Sequence, residues 1–457
     1  MRWVSDFTIS RTSGVEARPR NRILTLLTAV VFVSLFILFS SGKAWGIIYI
    51  DINSPAGVRI PIAVPDLHAE NEGGLTLFRK IPEIIAADLE ISSIFTVINR
   101  DAYLEKISET SFISGGIYFP DWKMIGSDSL VAGTVRTDGD KLSAELRLYD
   151  VSTGSMLTGK RYSAPAERFD MIAHKFANEI IYQYTGVHGV FDSEIAFSAK
   201  KEGEGKEIFI VDLTGKKLRQ ITGNGSINMF PRWSPDGYKL AYLSYRRQRP
   251  YVFLRDFSTG SDDLLLRYGG FKSPGSFSPD GSSIFLSISV KGNADIFKFS
   301  FKDEKLVRVV SNYGIDVSPT VSPDEDKMAF VSDRTGFPQI YVKTLPSGPE
   351  KRVSFAGYYS TSPTWSPSGD RIAFASMSEG KFSIFVVSPD GSNLREVVSG
   401  DGSCEDPSFS PDGRYIVYIF RKKDYSEIRV TNVTGFGDRL LLKGMRDMSS
   451  PSWSPRR

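Results

Sequence analysis

The chain has 457 residues, more than one hydrophobic core of about 150 residues usually holds, so two or more domains are expected. Apolar residues make up 41% of it and charged residues 24%, which is typical of a globular protein. The net charge of +3 gives no support to a nucleic-acid-binding protein, which needs a concentrated basic face. The single cysteine, Cys404, excludes an intrachain disulfide framework and a CxxC metal site.

Residues 1–46 have the pattern of an export signal. Several arginines precede an apolar run at residues 23–39, and small residues follow it. This order predicts a cleaved signal peptide with its cleavage site near Ala44 or Gly46. The alternative is an uncleaved membrane anchor, because the run is close to the length that spans a bilayer. Either interpretation places the rest of the chain outside the cytoplasm.

Residues 47–187 predict a small α/β domain. Its predicted strands are IIYIDIN at 47–53, VRIPIAV at 58–64, IFTVIN at 94–99 and a three-strand meander over 130–163 with turns at Asp138-Gly139 and Thr153-Gly154. Its predicted helices run from about Ile81 to Ser92 and from about Pro165 to Tyr184, the second ending at Gly186. His174 is interpreted as a residue of the second helix at the surface of this domain.

A repeat of 44 residues fills the rest of the chain. Ser-Pro pairs place prolines at 235, 279, 323, 367, 411 and 455, in the contexts WSPDG, FSPDG, VSPDE, WSPSG, FSPDG and WSPRR. Each of the first five pairs is followed by an alternating apolar run such as KLAYLS, which predicts a half-buried strand. Pro-Asp-Gly favours a tight turn, because Pro fixes φ and Gly accepts a positive φ. A second proline keeps the period at 231, 319, 363, 407 and 451 but slips by one residue to Pro274.

Residues 188–457 are therefore predicted to form a six-bladed β-propeller of four-stranded blades. EIAFSA at 194–199 is a second strand without a Ser-Pro turn before it, and SPSWSP at 450–455 is a first strand without a successor. Together they complete one blade, so the C-terminal strand is expected to close the ring. The bulky residue before each Ser-Pro pair is expected on the innermost strand, packed between blades.

Catalytic chemistry is not predicted. The three histidines, His68, His174 and His188, cannot form an HExxH zinc motif, and the chain contains no GxSxG nucleophile elbow. The repeated aspartates at 236, 280, 324 and 412 are interpreted as turn formers. We expect no enzyme, no metal and no cofactor. The six first strands read PRWS, PGSF, PTVS, PTWS, PSFS and PSWS, which is not a ring of charges around the central channel.

The chain resembles the TolB family of periplasmic propeller proteins of the Tol–Pal system. The likeness rests on the WSPDG-type blades, on the order IIYIDIN, IPIAVPDL, EIIAADL and SDSLVAGTVRTDGDKLSAELRLYDVSTGSML, and on TGVHGVFDSEIAFSA between the domains. It covers nearly all of the chain after the signal. The resemblance implies a monomeric adaptor that binds TolA and the peptidoglycan-associated lipoprotein Pal, and no nucleic acid, with contact to the membrane only through these partners.

The resemblance also implies where the partners bind. The segment matching the TolA-binding box is Ile47, Ile48, Tyr49, Ile50, Asp51, Ile52 and Asn53. Pal is expected on the propeller face formed by the blade-to-blade loops, opposite the Pro-Asp-Gly turns. The residues predicted for this face are Met229, Phe230, Phe271, Lys272, Pro274, Asp316, Val317, Ser318, Tyr359, Thr361, Glu405, Asp406, Asp447 and Met448.

The implied role is support of outer-membrane integrity and of constriction during cell division. An apolar N-terminal strand that adds to a sheet edge offers a physical basis for a switch between TolA-bound and packed states. The alternative function is an exported propeller that binds a small ligand or glycan in its central channel.

Overall fold

The structure is a computed structural model that describes residues 59–104, 116–201, 203, 205–266, 270–290, 292–435 and 437–456. The predicted export signal and the predicted strand at 47–53 lie outside these residues. Both therefore stay predictions.

The first part of the described chain forms a mixed sheet with helices on both faces. Its helices and strands are β1 (Ile60–Ala63), β2 (His68–Ala69), α1 (Lys80–Ile91), β3 (Phe95–Val97), α2 (Phe119–Met124), β4 (Ser129–Asp138), β5 (Lys141–Asp150), β6 (Met156–Pro165) and α3 (Phe169–Thr185), with 3-10 turns at Glu72–Thr76, Arg100–Ala102 and Ala166–Arg168. The sheet order is β3-β1-β4-β5-β6, and β2 pairs with β4. The predicted α/β class, both predicted helices and the meander are confirmed.

Alternation along β4 explains how one strand serves both faces of this sheet. Val131 and Val135 join the core under α1 and α3, whereas Leu130 and Ala132 pack with Trp122 of α2. Successive side chains of a strand point to opposite faces, and residues 129–135 of this strand are buried on both faces. Helix α3 ends at Gly186, which has φ +70°, as the predicted stop requires.

The rest of the described chain forms six four-stranded sheets. Blade 6 takes its outer three strands from the start of this region and its first strand from the C-terminus. Its strands are β7 (Glu194–Lys200), β8 (Lys206–Asp212), β9 (Leu218–Gln220) and β30 (Arg446–Trp453). The predicted boundary after residue 187 falls between α3 and β7.

Blades 1 to 5 follow one another along the chain between β9 and β30. Blade 1 consists of β10 (Asn228–Trp233), β11 (Lys239–Ser244), β12 (Tyr251–Asp256) and β13 (Asp262–Leu264), and blade 2 consists of β14 (Lys272–Phe277), β15 (Ser283–Val290), β16 (Asn293–Ser300) and β17 (Leu306–Val310). Blade 3 consists of β18 (Asp316–Val321), β19 (Lys327–Ser332), β20 (Gln339–Thr344) and β21 (Glu350–Arg352), and blade 4 consists of β22 (Tyr359–Trp365), β23 (Ile372–Ser378), β24 (Lys381–Val387) and β25 (Arg395–Val398). Blade 5 consists of β26 (Ser403–Phe409), β27 (Tyr415–Arg421), β28 (Ser426–Asn432) and β29 (Arg439–Leu442). The predicted six-bladed propeller is confirmed.

The Ser-Pro turns are built as their residue types predict. In blade 1 the Ser234 hydroxyl donates to Asp236 at 2.5 Å and accepts from the Lys239 amide at 2.9 Å, while Gly237 takes φ +72°. The same serine-to-aspartate bond recurs in blades 2, 3 and 5. The interpretation of these aspartates as turn formers is confirmed.

Inner aromatic residues tie neighbouring blades together. The indole of Trp365 in blade 4 donates to the Thr320 carbonyl of blade 3 at 3.0 Å, and that of Trp233 in blade 1 donates to the Ser452 carbonyl of blade 6 at 3.2 Å. The predicted packing of this residue between blades is confirmed.

The ring closes through the C-terminal strand, as predicted. Strand β30 pairs antiparallel with β7, and the amide of Ser454 donates to the carbonyl of Glu194 at 2.8 Å. The inner strand of blade 6 therefore comes from the far end of the chain. This pairing covers the edge of β7, which would otherwise present unpaired backbone groups.

Candidate partner face and central channel

The propeller has two unlike faces, which follow from the chain direction. The Ser-Pro turns and the turns between strands three and four of each blade lie on one face, the turn face. The loops between strands two and three, and the loops that lead to the next blade, lie on the opposite face, the loop face.

The N-terminal domain packs on the turn face. The phenolic oxygen of Tyr415, just after a Ser-Pro turn, donates to the Ser92 carbonyl at the end of α1 at 2.9 Å. Lys217, in a strand-three-to-four turn, forms an ion pair with Asp170 of α3. One hydrophobic cluster continues from α1 and α3 into blades 5 and 6. The loop face is therefore the side of the propeller opposite these contacts.

The interface contains a buried titratable pair. Nδ1 of His174 in α3 lies 2.7 Å from Oδ2 of Asp88 in α1, and both side chains are buried. Burial raises the pKa of Asp88 to about 6, with its bond to His174 acting in the opposite sense. Burial alone would lower the pKa of His174, but the bond to Asp88 and its charge outweigh burial and raise it. The expected helix position of His174 is confirmed, and the residue lies at the side of the domain that faces Asp212 and Arg439 of the propeller, where its side chain is buried.

The predicted Pal-binding residues all lie at the loop face or at the ends of inner strands that reach it. They differ greatly in exposure. Phe271 and Asp447 are exposed, and most of the others are half-buried. Lys272, Asp316 and Met448 have no exposed surface, and Pro274 is also buried.

The buried members have partners inside the propeller. The Lys272 ammonium donates to the Gly270 carbonyl at 3.2 Å and lies over the ring of Tyr251. Asp316 accepts from the guanidinium of Arg334 at 3.1 Å. These side chains support the loops but are not available to a partner in this conformation.

Sequence reasoning missed the largest exposed apolar feature of the loop face. Five side chains with exposures of 46% to 85%, which we name the aromatic patch, lie in loops of blades 3 and 4. They are Tyr313, Ile315, Phe337, Phe355 and Tyr358. Predicted positions followed the 44-residue register and fell on neighbouring residues such as Tyr359. The sequence does carry a signal for this patch, because apolar residues are concentrated in these loop segments, which belong to no strand.

Specific contacts link the three loops of the aromatic patch. The Tyr313 hydroxyl donates to the Arg334 carbonyl at 2.6 Å, which joins the first loop to the second. The rings of Phe337 and Tyr358 meet edge to face at 6.1 Å, which joins the second to the third. The patch is therefore a connected surface that spans two blades.

Charged groups surround another part of the loop face, at blade 6. The carboxylate of Asp447 lies 3.6 Å from Lys200, 3.2 Å from Lys206 and 3.8 Å from Arg421. Lys206 is nearly buried, and burial lowers its pKa although Asp447 acts in the opposite sense. Apolar and charged regions thus occur on one face, as in the core and rim of many protein interfaces.

The inner strands enclose a central channel with a repeating wall. Each 44-residue step places one side chain toward a cavity of about 240 Å³. These side chains are Arg232, Ser276, Thr320, Thr364, Ser408 and Ser452. Five of the six carry hydroxyl groups, and the sixth is an arginine. The channel wall is therefore not a ring of charges, as expected, but it includes the guanidinium of Arg232, which the sequence analysis did not predict as a site residue.

A second ring lies where the inner strands meet the loop face. Phe230, Ser318, Ser362, Asp406 and Ser450 each precede the strand proline and adopt a positive φ of 52° to 56°. Each inner strand changes register at this point. Blade 2 has Pro274 at the equivalent position, and Pro cannot adopt a positive φ. Its next residue, Gly275, passes so close to Pro319 that a Cβ atom would lie 2.5 Å from the Pro319 carbonyl oxygen.

Two family profiles match the chain. The TolB beta propeller domain matches residues 182–457, and the TolB amino-terminal domain matches residues 48–157. The chain belongs to the TolB family. The expected resemblance is confirmed.

Individual relatives agree with this assignment. A curated relative, the Tol-Pal system protein TolB of Desulfosudis oleivorans, is 35% identical over 269 residues, which are 58% of this chain and 61% of that protein. The alignment thus spans less than two thirds of the relative's length. The crystal structure of TolB from Acinetobacter baumannii matches with a TM-score of 0.76 and 27% identity over 87% of this chain and 97% of its own.

The described residues contain no cluster of three or more side chains suited to hold a metal ion. Within the same part of the chain, none of the helices combines the length and the apolar character needed to cross a membrane. The predicted TolA-binding segment lies outside the described residues.

Proposed function

We propose that this protein is an exported, non-enzymatic component of the Tol–Pal system that acts as an adaptor in the periplasm. Its propeller, residues 188–457, binds a Pal-like peptidoglycan-associated lipoprotein, and residues 47–53 bind TolA. Through both contacts it supports outer-membrane integrity and constriction during cell division. Membership of the TolB family supports this proposal, and the aromatic patch is the structural observation that carries the partner-binding part.

The aromatic patch has the properties of an interface centre. Large exposed aromatic groups supply most of the binding energy at many protein interfaces, where they are enriched over the rest of the surface. Phe337 and Tyr358 already hold each other in place, so little side-chain freedom is lost when a partner covers them. Phe271, the exposed aromatic member of the predicted face, lies on the same side of the propeller in blade 2.

The proposed switch uses the N-terminal strand. The N-terminal sheet ends in two edge strands, β3 and β6, and the ten residues of β6 are mostly exposed. An extended apolar segment such as IIYIDIN adds favourably to such an edge, either in its own chain or in a partner. If the lipoprotein favours the packed state, it opposes TolA binding, and TolA must oppose the lipoprotein equally. Equal affinity of a TolA domain for free and lipoprotein-loaded protein would exclude this coupling.

One observation favours the alternative of a small channel ligand, namely the guanidinium of Arg232 in the channel wall. The two functions do not exclude each other, since the aromatic patch lies on the outer loops and Arg232 inside the ring.

The test is a pull-down from the periplasmic fraction of the source organism, read by mass spectrometry. The baits are residues 47–457, residues 54–457, and the longer chain with Phe337→Ala and Tyr358→Ala together. The matched control is Tyr238→Ala, because Tyr238 is also a highly exposed aromatic residue but lies beside a Ser-Pro turn on the turn face.

We expect the lipoprotein with both wild-type baits and TolA only with the longer one. The double variant should lose the lipoprotein and keep TolA, whereas Tyr238→Ala should keep both. Recovery of neither partner by the longer bait would reject the adaptor function. Undiminished recovery of the lipoprotein by the double variant would reject the aromatic patch as its site.

A further inference from the structure

The Arg232 guanidinium lines the central channel, and the protein engages only part of its hydrogen-bonding capacity. It is half-buried, and its Nη1 atom donates to the Pro231 carbonyl at 3.0 Å. A guanidinium carries several more donors and no acceptor. Among the residues that the structure describes, no carboxylate lies within 4.0 Å of it. Burial lowers the pKa of Arg232, and the charge of Asp406 acts in the opposite sense.

Asp406 does not neutralise Arg232 by direct contact, because its oxygens are engaged elsewhere. Oδ1 accepts from the Ser362 hydroxyl at 2.7 Å, and Oδ2 accepts from the Ser450 amide at 2.9 Å. These bonds hold the carboxylate against the wall between blades 4, 5 and 6. The arginine therefore remains a cation without a paired anion in a confined space.

The surrounding hydroxyl groups add further hydrogen-bond donors to those of the Arg232 guanidinium. Ser276 accepts from the Val321 amide, and Ser408 accepts from the Trp453 amide, so each hydroxyl proton is free to donate to another group. Thr320 and Thr364 add two hydroxyls at the same level of the channel. Guanidinium and hydroxyl donors are the groups that bind oxyanions in proteins, and the guanidinium can form two parallel bonds to them.

We propose that the central channel binds a small oxyanion, a carboxylate or phosphate group, through the Arg232 guanidinium and the hydroxyl groups of the inner strands. The cavity of about 240 Å³ limits the enclosed part of a ligand to about eight water-sized groups, which is room for a small organic acid, a phosphate or one acidic group of a larger molecule. The site does not depend on the adaptor function, because none of its residues belongs to the aromatic patch or to residues 47–53.

The test is titration calorimetry, with thermal unfolding in parallel, on the exported protein at constant ionic strength. Three probes separate the possible sources: inorganic phosphate, malonate, and the capped peptide acetyl-Gly-Glu-Gly-amide. The variants are Arg232→Gln and Arg232→Lys. The matched control is Arg308→Gln, since Arg308 lies on the outer strand of blade 2 and pairs there with Asp295.

We expect at least one probe to bind the wild type and the Arg308→Gln variant alike. Arg232→Gln should weaken that binding by about tenfold or more, the usual worth of a charge-assisted hydrogen bond. Arg232→Lys should retain part of it, because it keeps the charge but loses the paired geometry. Asp406→Asn should strengthen it several-fold by removing a nearby negative charge.

The pattern across probes identifies the source. Binding of phosphate or malonate indicates a free small anion, whereas binding of the peptide alone indicates an acidic side chain of a larger ligand. The proposal is overturned if no probe binds the wild type, or if Arg232→Gln binds as the wild type does. If Arg232→Gln does not fold, as judged by circular dichroism, the Lys and Asp406→Asn variants decide: unchanged affinity in both overturns the proposal.

Discussion

Nδ1 of His174 lies 2.7 Å from Oδ2 of Asp88, so the two main helices of the N-terminal domain are joined by a buried pair beneath the propeller. Asp170, Asp212 and Arg439 are the other charged groups that act on this pair. Asp88 Oδ1 has no hydrogen-bond partner within the described part of the chain. The Asp88 carboxylate therefore depends on the His174 imidazole to offset the cost of its burial.

The pair predicts a stability that falls as the pH rises. The pKa of His174 is raised, so its contribution is complete below about 6.5, the ordinary value, and is lost as the pH rises through the folded-state pKa. Asp88 acts in the same direction, because its pKa of about 6 lies above its unfolded value and its ionisation costs stability at higher pH. We expect the unfolding free energy of the wild type to fall from pH 6 to pH 8.5, and that fall to disappear when His174→Gln is combined with Asp88→Asn, because the double variant removes both titrating groups.

Chemical denaturation of wild type and variant at both pH values measures this difference. His188→Gln is the control, because that histidine is exposed and stacks on Tyr182 at 4.3 Å, and no carboxylate among the described residues pairs with it. Parallel pH curves for the wild type and the double variant would contradict the assignment.

The bond from Tyr415 to the Ser92 carbonyl predicts a role in holding the two domains together. Tyr415→Phe removes a buried hydrogen bond and leaves the carbonyl without that donor, which should cost about 1–2 kcal/mol of unfolding free energy. It should also speed proteolysis of the connection between α3 and β7. The control is Tyr418→Phe, which removes a 2.8 Å bond to Asp438 inside the same blade. Equal cleavage rates in the two variants would show that Tyr415 acts only within the propeller.

The regular part of this fold was predictable because it repeats. Prolines 44 residues apart fixed the phase of every blade, and the surplus strand at each end, EIAFSA and SPSWSP, required closure of the ring. The Ser-to-Asp turns follow from local chemistry alone, since their partners lie two residues apart. Local signals of this kind need no knowledge of tertiary packing.

The candidate site was harder to predict, because the 44-residue repeat gives the position of a residue in its blade but not the exposure of its side chain. Lys272 and Phe271 are neighbours, yet the lysine is fully buried and the phenylalanine is exposed. Tyr358 is half exposed and contacts Phe337, while the predicted Tyr359 begins a strand and packs against Phe382. The His174–Asp88 pair spans 86 residues of sequence and carries no motif. These features depend on packing between elements, which periodicity does not encode.

The aromatic patch predicts a graded loss of partner binding. Phe337→Ala should weaken the affinity for the lipoprotein by about 2 kcal/mol, because interface aromatic residues in packed pairs often contribute that much. The melting temperature should change little, since the side chain is largely exposed in the free protein. Surface plasmon resonance with the purified lipoprotein measures the affinity, with Tyr238→Ala as the control. An equal loss in Tyr238→Ala would show that the effect is not specific to the loop face.

Ring closure predicts that a short C-terminal truncation is severe. A chain ending at residue 445 lacks β30, so blade 6 loses its inner strand and β7 becomes an open, apolar edge. The indole of Trp453, which donates to the Ser193 hydroxyl at 2.8 Å, is lost as well. We expect a melting temperature lower by more than about 10 °C and concentration-dependent association, because exposed edges pair with other chains. Calorimetry and size-exclusion chromatography measure the two effects. A chain lacking only residues 456 and 457 keeps β30 and loses the ion pair of Arg456 with Asp192 at 3.5 Å, so it should melt only slightly below the wild type. A synthetic peptide of residues 446–457 should restore part of the stability of the chain that ends at residue 445. If the truncated chain melts as the intact protein does, closure by β30 contributes nothing to stability.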